Sequence, residues 1–302
     1  MKLTDLFEEY DGQITFSNIN TNITNYVAMS NNLIMGRQNL TLHEFKLIRL
    51  MIMQILANDL DFRPYEISPA DYARIIGNQD ISNAYHTAPE LCNGLMTKTI
   101  ELISEDGSWV KYNWTSMSKY DAKTKKMQLK LNPDLKPFLI GLVEKGYYSQ
   151  YTFDNIALMS STYAGRIFEM LLASIKTRLI PEEGTYITLT KQQIVDGCML
   201  YKTDMKGRLQ IDSESKKPLE KYERISQLKE KVIKKACQEI CDKTMYYVPF
   251  VTEDGTKSHG VEDIKSGRTI VAFKFYVNMI YHPNVPKIKS NRVVKIVDSN
   301  IV

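Results

Sequence analysis

The sequence predicts an α+β protein built from one structural unit that occurs twice. The order helix, strand, helix, turn, helix and two-stranded hairpin appears in the first half of the 302-residue chain and again in the second half. The helix starts that open the two copies, Thr41 and Ser161, are 120 residues apart, and the caps of the second helices, Ser68 and Thr190, are 122 residues apart. Three helices followed by a hairpin wing make a winged-helix domain, so we predict two tandem winged-helix domains.

The length of the chain suits two such domains, because single domains commonly contain about 100–200 residues. The repeat then divides the chain into four predicted segments. They are an N-terminal arm, residues 1–26; a first winged-helix domain, residues 27–148; a second winged-helix domain, residues 149–284; and a basic C-terminal tail, residues 285–302.

The first unit opens with strong helix signals. Thr41 and Glu44 form a capping box ahead of the apolar run in NLTLHEFKLIRLMIMQIL, which predicts a buried helix. FRPYEI predicts a short strand. Ser68, with Pro69 at the first helical position, then begins a second helix that ends at Gly77.

The third helix of the first unit lies within NAYHTAPELCNGLMTKT. Pro89 in its middle predicts either a kink there or a helix start near Thr87. The alternating stretch IELISEDGSWVKYNWTSM, the charged turn DAKTKK and the stretch MQLKLN then predict one hairpin with a long basic tip. A helix in PDLKPFLIGLV closes the unit near Val143.

The second unit repeats this order. SSTYAGRIFEMLLASIK predicts a helix opening at Ser160 or Ser161, TYITL a strand, and Thr190 the cap of a short helix, KQQIVDGCML. A polar insertion, YKTDMKGRLQIDSESKKPLEK, precedes the long helix YERISQLKEKVIKKACQEICDK. MYYVPFVTED and GRTIVAFKFYV then predict the hairpin.

Composition argues against a membrane or secreted protein. No apolar run approaches the roughly 20 residues of a spanning helix, and the acidic start MKLTDLFEEYDG lacks the apolar core of a signal peptide. Four cysteines in so long a chain do not form a disulfide framework, so a cytoplasmic protein is expected.

The histidines and glycines argue against an enzyme. The four histidines are His43, His86, His259 and His282, so neither an HxH pair nor an HExxH motif is present. The 14 glycines form neither a nucleotide-binding loop nor a GxSxG motif. Cys237 and Cys241 are expected to be packed thiols without a metal. No catalytic residue, metal or cofactor is therefore predicted.

The long helix of the second unit is the predicted reader of DNA. At 100° per residue its apolar residues form one stripe that faces a core, and the opposite arc is polar. Arg can bind guanine and Gln adenine in a bidentate manner, while Ser and Lys reach phosphates or bases. The polar arc contains Arg224, Ser226, Gln227, Glu230, Lys231 and Lys234, and on this wheel also Cys237 and Cys241.

Two other interpretations of this helix stay open. Its polar arc is also typical of a solvated face with Glu230 and Lys234 as an i,i+4 pair. The order of elements, in turn, does not separate DNA reading from protein docking. We favour DNA reading because the third helix before a wing is the one that enters the major groove in this architecture.

Basic clusters indicate where each domain could meet phosphates. They lie in SKYDAKTKKMQLKL, in KKPLEKYERISQLKEKVIKK and in the tail PKIKSNRVVK. The third helix of the first unit presents Asn83, His86, Glu90 and Asn93 without a Lys or Arg. We therefore predict that the first domain touches phosphates through its wing lysines and supports self-association, while the second domain reads bases. The predicted DNA contacts are Lys221, Arg224, Ser226, Gln227, Glu230, Lys231, Lys234, Asn83, His86, Lys119, Lys123, Lys125, Lys126, Lys257, Lys265 and Arg268.

The chain resembles the iteron-binding plasmid replication initiator (Rep) proteins over most of residues 27–280. The resemblance rests on VAMSNNLIMGRQNLTLHEFKLIRLMIMQI, on FRPYEISPADYARIIG with NAYHTAPELCNGLM, on YTFDNIALMSSTYAGRIFEMLL and on YERISQLKEKVIKKACQEI. The most specific feature is an S-x-Y-x-x-R-[IL]-[YF]-E-x-L-like run, which we expect to form core and interdomain packing. It is filled by Ser161, Tyr163, Arg166, Ile167, Phe168, Glu169 and Leu171.

The resemblance implies a function in plasmid replication. It implies that monomers bind direct repeats in origin DNA and open the origin, and that dimers limit initiation or repress transcription. It also implies contacts with the host initiator and the replicative helicase. Family base-contacting positions map onto Arg224, Ser226, Gln227, Glu230 and Lys231, of which Gln227 and Glu230 depart from the basic residues often found there. The alternatives are a winged-helix transcriptional repressor and, less favoured, a replication nickase.

Overall fold

The structure is a computed structural model that describes residues 26–56, 59–104, 106–175, 180–205, 208–251 and 259–279. The predicted C-terminal tail, and the predicted arm up to residue 25, lie outside the described residues. The chain forms two compact units. The first runs to Thr162 and includes Asp196–Met199, and the second contains the remainder.

The helices of the first unit begin where the capping signals place them. Thr41 and Glu44 form the predicted capping box, in which the N–H of Thr41 donates to Oε2 of Glu44 at 2.7 Å. Ser68 caps the next helix, which has Pro69 at its first position. The helices are α1 (Asn31–Met35), α2 (Leu42–Met53), α3 (Pro69–Ile75), α4 (Ile81–Leu95), α5 (Lys136–Leu139), α6 (Leu142–Lys145) and α7 (Asp154–Ala157).

One of the two alternatives for the third helix, the start near Thr87, is wrong, and so is the prediction of a single closing helix. Helix α4 does not start near Thr87 but at Ile81, because Asp80 accepts the N–H of Asn83 at 2.9 Å and caps it, and the helix continues through the exposed Pro89. The single closing helix is instead a 3₁₀ turn followed by α5 and α6. These two helices are separated by Gly141, whose positive φ of 65° breaks the helix.

The strands of the first unit form three antiparallel sheets, in the orders β1-β8, β2-β4-β5 and β3-β7-β6. The predicted single hairpin is in fact two consecutive hairpins, β4–β5 and β6–β7. Gly107, with φ of +84°, closes the first of them, and only the second has the basic tip. The strands are β1 (Tyr26–Ser30), β2 (Arg37–Gln38), β3 (Tyr65–Ile67), β4 (Thr99–Ile103), β5 (Trp109–Asn113), β6 (Thr115–Asp121), β7 (Lys126–Leu131) and β8 (Tyr148–Thr152).

Strand β8 explains where the first unit ends. It pairs with β1 in the register Tyr26↔Thr152 to Ser30↔Tyr148. The unit therefore needs residues beyond the predicted boundary at 148/149, and the two compact units divide between Thr162 and Tyr163 instead. No helix or strand is predicted from the sequence for residues 26–38, where the structure has β1, α1 and β2.

The core of the first unit is built around α2, which is buried on nearly its whole circumference, as predicted. Arg49 on this helix is fully buried. Its guanidinium carbon lies 4.4 Å from the centre of the Phe45 ring and 5.3 Å from that of Trp114. Stacking on aromatic faces is a favourable environment for a buried guanidinium.

Where the structure describes it, the second unit contains three helices and a four-stranded antiparallel sheet in which β12 is central. Strand β12 pairs with β9, β10 and β11. The helices are α8 (Thr162–Ser174), α9 (Lys191–Gly197) and α10, which is continuous through Ile225–Leu228, Lys229–Ile233 and Lys234–Lys243. The strands are β9 (Thr185–Thr190), β10 (Tyr246–Tyr247), β11 (Glu262–Ser266) and β12 (Thr269–Met279).

The wing of the second unit is the β11–β12 hairpin, so the predicted first strand in MYYVPFVTED is wrong. Within the described part of that stretch, residues 245–251, Tyr246 and Tyr247 form β10 and pair with β12 at its far end. The turn lies at Gly267, whose φ of +60° favours glycine, and at Arg268. The polar insertion before α10 closes on itself, since the N–H of Lys221 donates to the carbonyl of Leu200 at 2.8 Å. Among the described residues, no helix is long and apolar enough to cross a membrane.

Candidate nucleic-acid interface

Helix α10 occupies the position of the third helix of its unit, directly before the β11–β12 wing. It begins at Ile225, three residues later than the predicted start. Arg224 is its N-cap and has an extended backbone, with φ of −88° and ψ of 129°. The exposed Arg224 side chain therefore leaves the chain just ahead of the first turn and does not belong to the helical wheel.

The middle of α10 is a π segment, Lys229–Ile233. Such a segment inserts one extra residue into the helix, which turns every later side chain by roughly one residue step, about 100°. This rotation carries Cys237 into the core, where it is 1% exposed, and leaves Cys241 only partly exposed. The helical wheel with a constant step of 100° per residue places both cysteines on the polar arc, and this placement is therefore wrong.

The polar face of α10 is exposed along its length. Beyond the π segment the same rotation adds Lys235 and Gln238 to this face, and the sequence reading missed both. Glu230 and Lys234 form the expected i,i+4 ion pair at 2.9 Å. The exposed predicted members of the face are Arg224, Ser226, Gln227, Glu230, Lys231 and Lys234.

A cluster of lysines and tyrosines lies at the start of α10. Nζ of Lys221 donates to the hydroxyl of Tyr163 at 3.2 Å, which is the main cause of the raised pKa of Lys221. The same Nζ lies 5.7 Å from the ring centre of Tyr222, and Nζ of Lys231 lies 5.8 Å from it. Tyr163 was expected to be core, but it is half-buried beside Lys221; Arg166 and Glu169 of the same run are buried, as expected.

The wing of the second unit presents two of its three predicted contacts. Lys265 is exposed on β11, and Arg268 is exposed in the turn that follows. Lys257 lies outside the described residues. Lys265 and Arg268 lie on the hairpin that follows α10 after the short strand β10, so the helix and the wing of this domain both present cations.

The first unit presents Asn83 and His86 as exposed residues on α4. Asn83 also borders a cavity of about 270 Å³ between α2, α3 and α4, together with Glu90. The basic turn of the β6–β7 wing reaches this helix, because Nζ of Lys125 lies 5.7 Å from the ring centre of Tyr85.

The four wing lysines of the first unit that are predicted to contact DNA differ in how exposed they are. Lys123 and Lys125 are exposed in the turn. Lys119 is exposed on β6, with Nζ 3.9 Å from a carboxylate oxygen of Asp121. Lys126 is half-buried, and its Nζ donates to Oε1 of Glu66 on β3 at 2.7 Å. The structure thus gives Lys126 a partner within the sheet, whereas the turn lysines point outward.

The thiols of α10 have the environment of packed side chains. Burial raises the pKa of both Cys237 and Cys241, in the latter case to about 11, so both are neutral thiols at pH 7. Sγ of Cys241 accepts the N–H of Val248 at 3.2 Å. Over the described residues, no group of three His, Cys, Asp or Glu side chains is placed to hold a metal ion.

Comparison with known proteins identifies the family to which these two domains belong. Residues 26–172 match the family model described as Initiator Replication protein, WH1, and residues 202–277 match that described as Initiator Rep protein, WH2. The fold and the two matches define a replication initiator with two winged-helix domains. The chain belongs to this family of initiator Rep proteins, as the sequence resemblance indicated.

One solved structure shares this architecture, and two others are similar to parts of the chain with lower scores. The Pi initiator protein in complex with iteron DNA is 18% identical, with a TM-score of 0.64 over 85% of this chain and 98% of that chain, which shows a shared fold. The WH1 domain of a replication protein isolated from a multiple sclerosis patient is 26% identical over 33% of this chain and 78% of that one, with a TM-score of 0.26. Domains 2 and 3 of RctB are 8% identical over 78% of this chain and 80% of that one, with a TM-score of 0.40. A search of curated protein sequences finds no match.

Proposed function

We propose that this protein initiates plasmid replication by binding repeated origin sequences as a monomer, opening the origin and recruiting host replication proteins. The exposed polar face of α10, directly before a wing, is the observation that carries the proposal. Membership of the initiator Rep family and the shared fold with a protein solved on iteron DNA support it.

The second domain is proposed to read bases. Arg224 and Gln227 lie at the start of α10, where a recognition helix contacts base edges. Lys221 and Lys231, together with Lys265 and Arg268 on the wing, are proposed to neutralise phosphates on either side of the groove. Such contacts give affinity that falls steeply with salt.

The first domain is proposed to add phosphate contacts and a self-association surface. Its turn lysines, Lys123 and Lys125, project from the wing beside α4. Strand β5 lies at the end of its sheet, and Trp109 and Val110 on it are 65% and 41% exposed. An edge strand with exposed apolar side chains can pair with a second copy of itself, which suits a dimer that withholds monomers from the origin.

The protein is proposed to make or break no bond in DNA. The support is the sequence, in which no two of the four histidines are close enough to form the paired metal ligands of a nickase. Contacts with the host initiator and the replicative helicase rest on the family resemblance. A transcriptional repressor would share the DNA chemistry, and it differs in leaving an A·T-rich origin closed.

Binding-site selection tests the proposal. The full chain is incubated with a pool of random 40-bp duplexes, and the selected sequence is compared with direct repeats flanking the gene. We expect one motif that recurs there at about two helical turns, which would place successive monomers on one face of the duplex. Unwinding is then followed by permanganate reactivity of supercoiled plasmid carrying those repeats, and a closed duplex would favour the repressor. Nicking of that plasmid in Mg²⁺ would contradict the non-enzymatic part.

Arg224→Ala and Lys125→Ala separate base reading from backbone binding. We expect Arg224→Ala to weaken binding to the selected motif by about 10- to 100-fold and to relax base preference. Lys125→Ala should weaken all sequences alike and lower the salt slope by about 1. The control is Arg63→Ala, an exposed arginine of the first domain outside the proposed contacts. Equal losses for Arg224→Ala on selected and random duplexes would refute base reading.

The self-association surface has its own test. Val110→Lys places a charge on the β5 edge, so we expect a lower dimer fraction in sedimentation equilibrium. The matched control is Val143→Lys, because Val143 is an exposed valine of the same domain on α6. A dimer population unchanged by Val110→Lys would move the interface elsewhere and leave the DNA-reading proposal intact.

A further inference from the structure

An ion pair joins the reading helix to the wing in the second domain. Nζ of Lys229, the first residue of the π segment of α10, lies 2.9 Å from each carboxylate oxygen of Asp263. Asp263 is on β11, the first strand of the wing. Both side chains are only 25% exposed, so the pair is partly shielded from water. It connects the two elements that present cations in this domain.

Phe250 lies beside the same contact. Nζ of Lys229 and Nζ of Lys234 are each 6.0 Å from the centre of its ring. Its carbonyl accepts the N–H of Val261 at 3.1 Å, directly before β11 begins. The base of the wing is therefore held to the helix by an ion pair and by an aromatic ring with two ammonium groups near its face.

The ion pair holds one particular face of β11 towards α10. The register of β11 with β12 shifts between Ile264 and Lys265, where Val271 of β12 is skipped, so the extra residue lies on β12. The alternation along β11 itself continues, and Lys265 is on the same face as Asp263. Glu262, on the other face, pairs instead with Lys274 of β12 at 3.2 Å, inside the wing. Arg268 follows Lys265 at the turn. The position of these two cations relative to α10 therefore depends on the Lys229–Asp263 contact.

We propose that Lys229 and Asp263 are positioning residues for DNA binding. They hold the wing so that Lys265 and Arg268 reach phosphates when the polar face of α10 lies in the groove. Neither residue contacts DNA in this arrangement, because each is occupied by the other. The inference rests on the proposed function and adds to it how helix and wing act as one binding surface.

The sign of one substitution separates positioning from plain electrostatics. Asp263→Asn removes a negative charge from a surface proposed to face polyanionic DNA. Electrostatics alone therefore predicts tighter DNA binding, because repulsion is relieved. Positioning predicts weaker binding, since Asn does not hold Lys229 as a carboxylate does and the wing loses its fixed orientation. The two hypotheses predict changes in opposite directions for a side chain of nearly unchanged shape.

The experiment uses the full chain and a duplex with one copy of the motif that the wild type selects from the random pool. Fluorescence anisotropy is measured over a range of salt. We expect Asp263→Asn to bind about threefold to fivefold more weakly, the effect of one partly exposed ion pair. The slope of log K against log salt should fall by about 1 to 2, because the wing's phosphate contacts are lost. The matched control is Glu262→Gln, which makes the same charge change on the same strand and should bind as tightly as the wild type or more tightly.

Coupling and rescue provide a readout that a purely structural role would not move. Arg268→Ala should weaken binding in the wild type and have little effect in the Asp263→Asn background, because the wing is already displaced there. Exchanging the charges, with Lys229→Glu and Asp263→Lys together, should restore both the affinity and the effect of Arg268→Ala. If Asp263→Asn does not fold, Lys229→Met keeps the stem near Phe250 and should likewise abolish the effect of Arg268→Ala. That coupling is the deciding result for this variant, because removing a cation weakens DNA binding in either hypothesis.

The inference is overturned if Asp263→Asn binds as tightly as the wild type, or more tightly, with an unchanged salt slope. It is also overturned if Arg268→Ala keeps its full effect in that background. Either result leaves the proposed function standing, provided that the wild type selects a motif. A wild type that selects no motif would remove the proposed function and this positioning role together.

Discussion

The two winged-helix domains place their positive charge on different elements. In the first domain α4 contains neither Lys nor Arg, and the exposed lysines among its predicted DNA contacts lie on the β6–β7 hairpin, at Lys119, Lys123 and Lys125. In the second domain α10 itself carries exposed cations within its π segment, at Lys231, and directly after it, at Lys234 and Lys235. A repeated fold thus does not repeat its chemistry. In the proposed function only one copy reads bases, whereas the other adds sequence-independent affinity.

The two domains also differ in what surrounds a buried arginine in their cores. Each opening helix buries an arginine. Arg49 on α2 lies against the rings of Phe45 and Trp114, whereas Arg166 on α8 forms an ion pair with Glu169 at 2.7 Å, with both side chains at most 1% exposed. Both helices thus bury a guanidinium, which lies against aromatic rings in one domain and against a carboxylate in the other.

The largest expected effect is on the stability of the second domain, and it tests the comparison of the two cores. Glu169→Ala leaves the guanidinium of Arg166 buried without this carboxylate, so we expect the second domain to lose about 3–5 kcal/mol of unfolding free energy. Glu169→Gln, which keeps an oxygen acceptor of similar shape, should lose less. Urea denaturation followed by circular dichroism measures both. Equal stability of Glu169→Ala and the wild type would mean that the pair contributes nothing to the second domain's stability.

A smaller effect tests the comparison of the surfaces. Gln227→Ala on α10 should weaken binding to the selected motif by about tenfold and relax preference at one base pair, as expected for loss of one bidentate contact. Asn83→Ala, the matched substitution of an exposed amide on α4, should leave base preference unchanged. Binding-site selection repeated with each variant measures the preference. A changed motif for Asn83→Ala would show that both domains read bases.

Local signals in the sequence were enough for the starts of α2 and α3 and for the domain type. The capping box of Thr41 and Glu44, the Ser68–Pro69 start and the exposed polar face of α10 are all present in the structure. Each depends on residues within one or two helical turns, so it can be predicted from residues that are close together in the sequence.

The features of the structure that the sequence did not predict depend on backbone geometry or on partners that are distant in the sequence. The π segment is an insertion within the helical ladder that a fixed 100° step does not contain, which is why Cys237 and Lys235 were misplaced or overlooked. Strand β1 is recognisable only through its pairing with β8, more than 100 residues later. The split into two hairpins turned on Gly107, which was read as part of one long strand region. The Lys229–Asp263 contact likewise joins residues that sequence spacing does not connect.

The smallest expected effect, at Glu230, sharpens the surface comparison. Glu230 is exposed on α10 and pairs with Lys234, a contact worth only about 0.3–0.5 kcal/mol to the helix. Glu230→Gln should therefore leave the melting temperature nearly unchanged, and its effect on DNA binding follows from where α10 lies. If Glu230 faces phosphates, removing its charge tightens binding to every duplex by about the same modest factor, because repulsion is relieved. If it accepts a hydrogen bond from a cytosine amino group, binding to the selected motif weakens and that base pair loses its preference. Anisotropy on selected and random duplexes distinguishes these outcomes. No change on either duplex would place this part of α10 outside the groove, because a carboxylate that close to DNA must affect binding in one direction or the other.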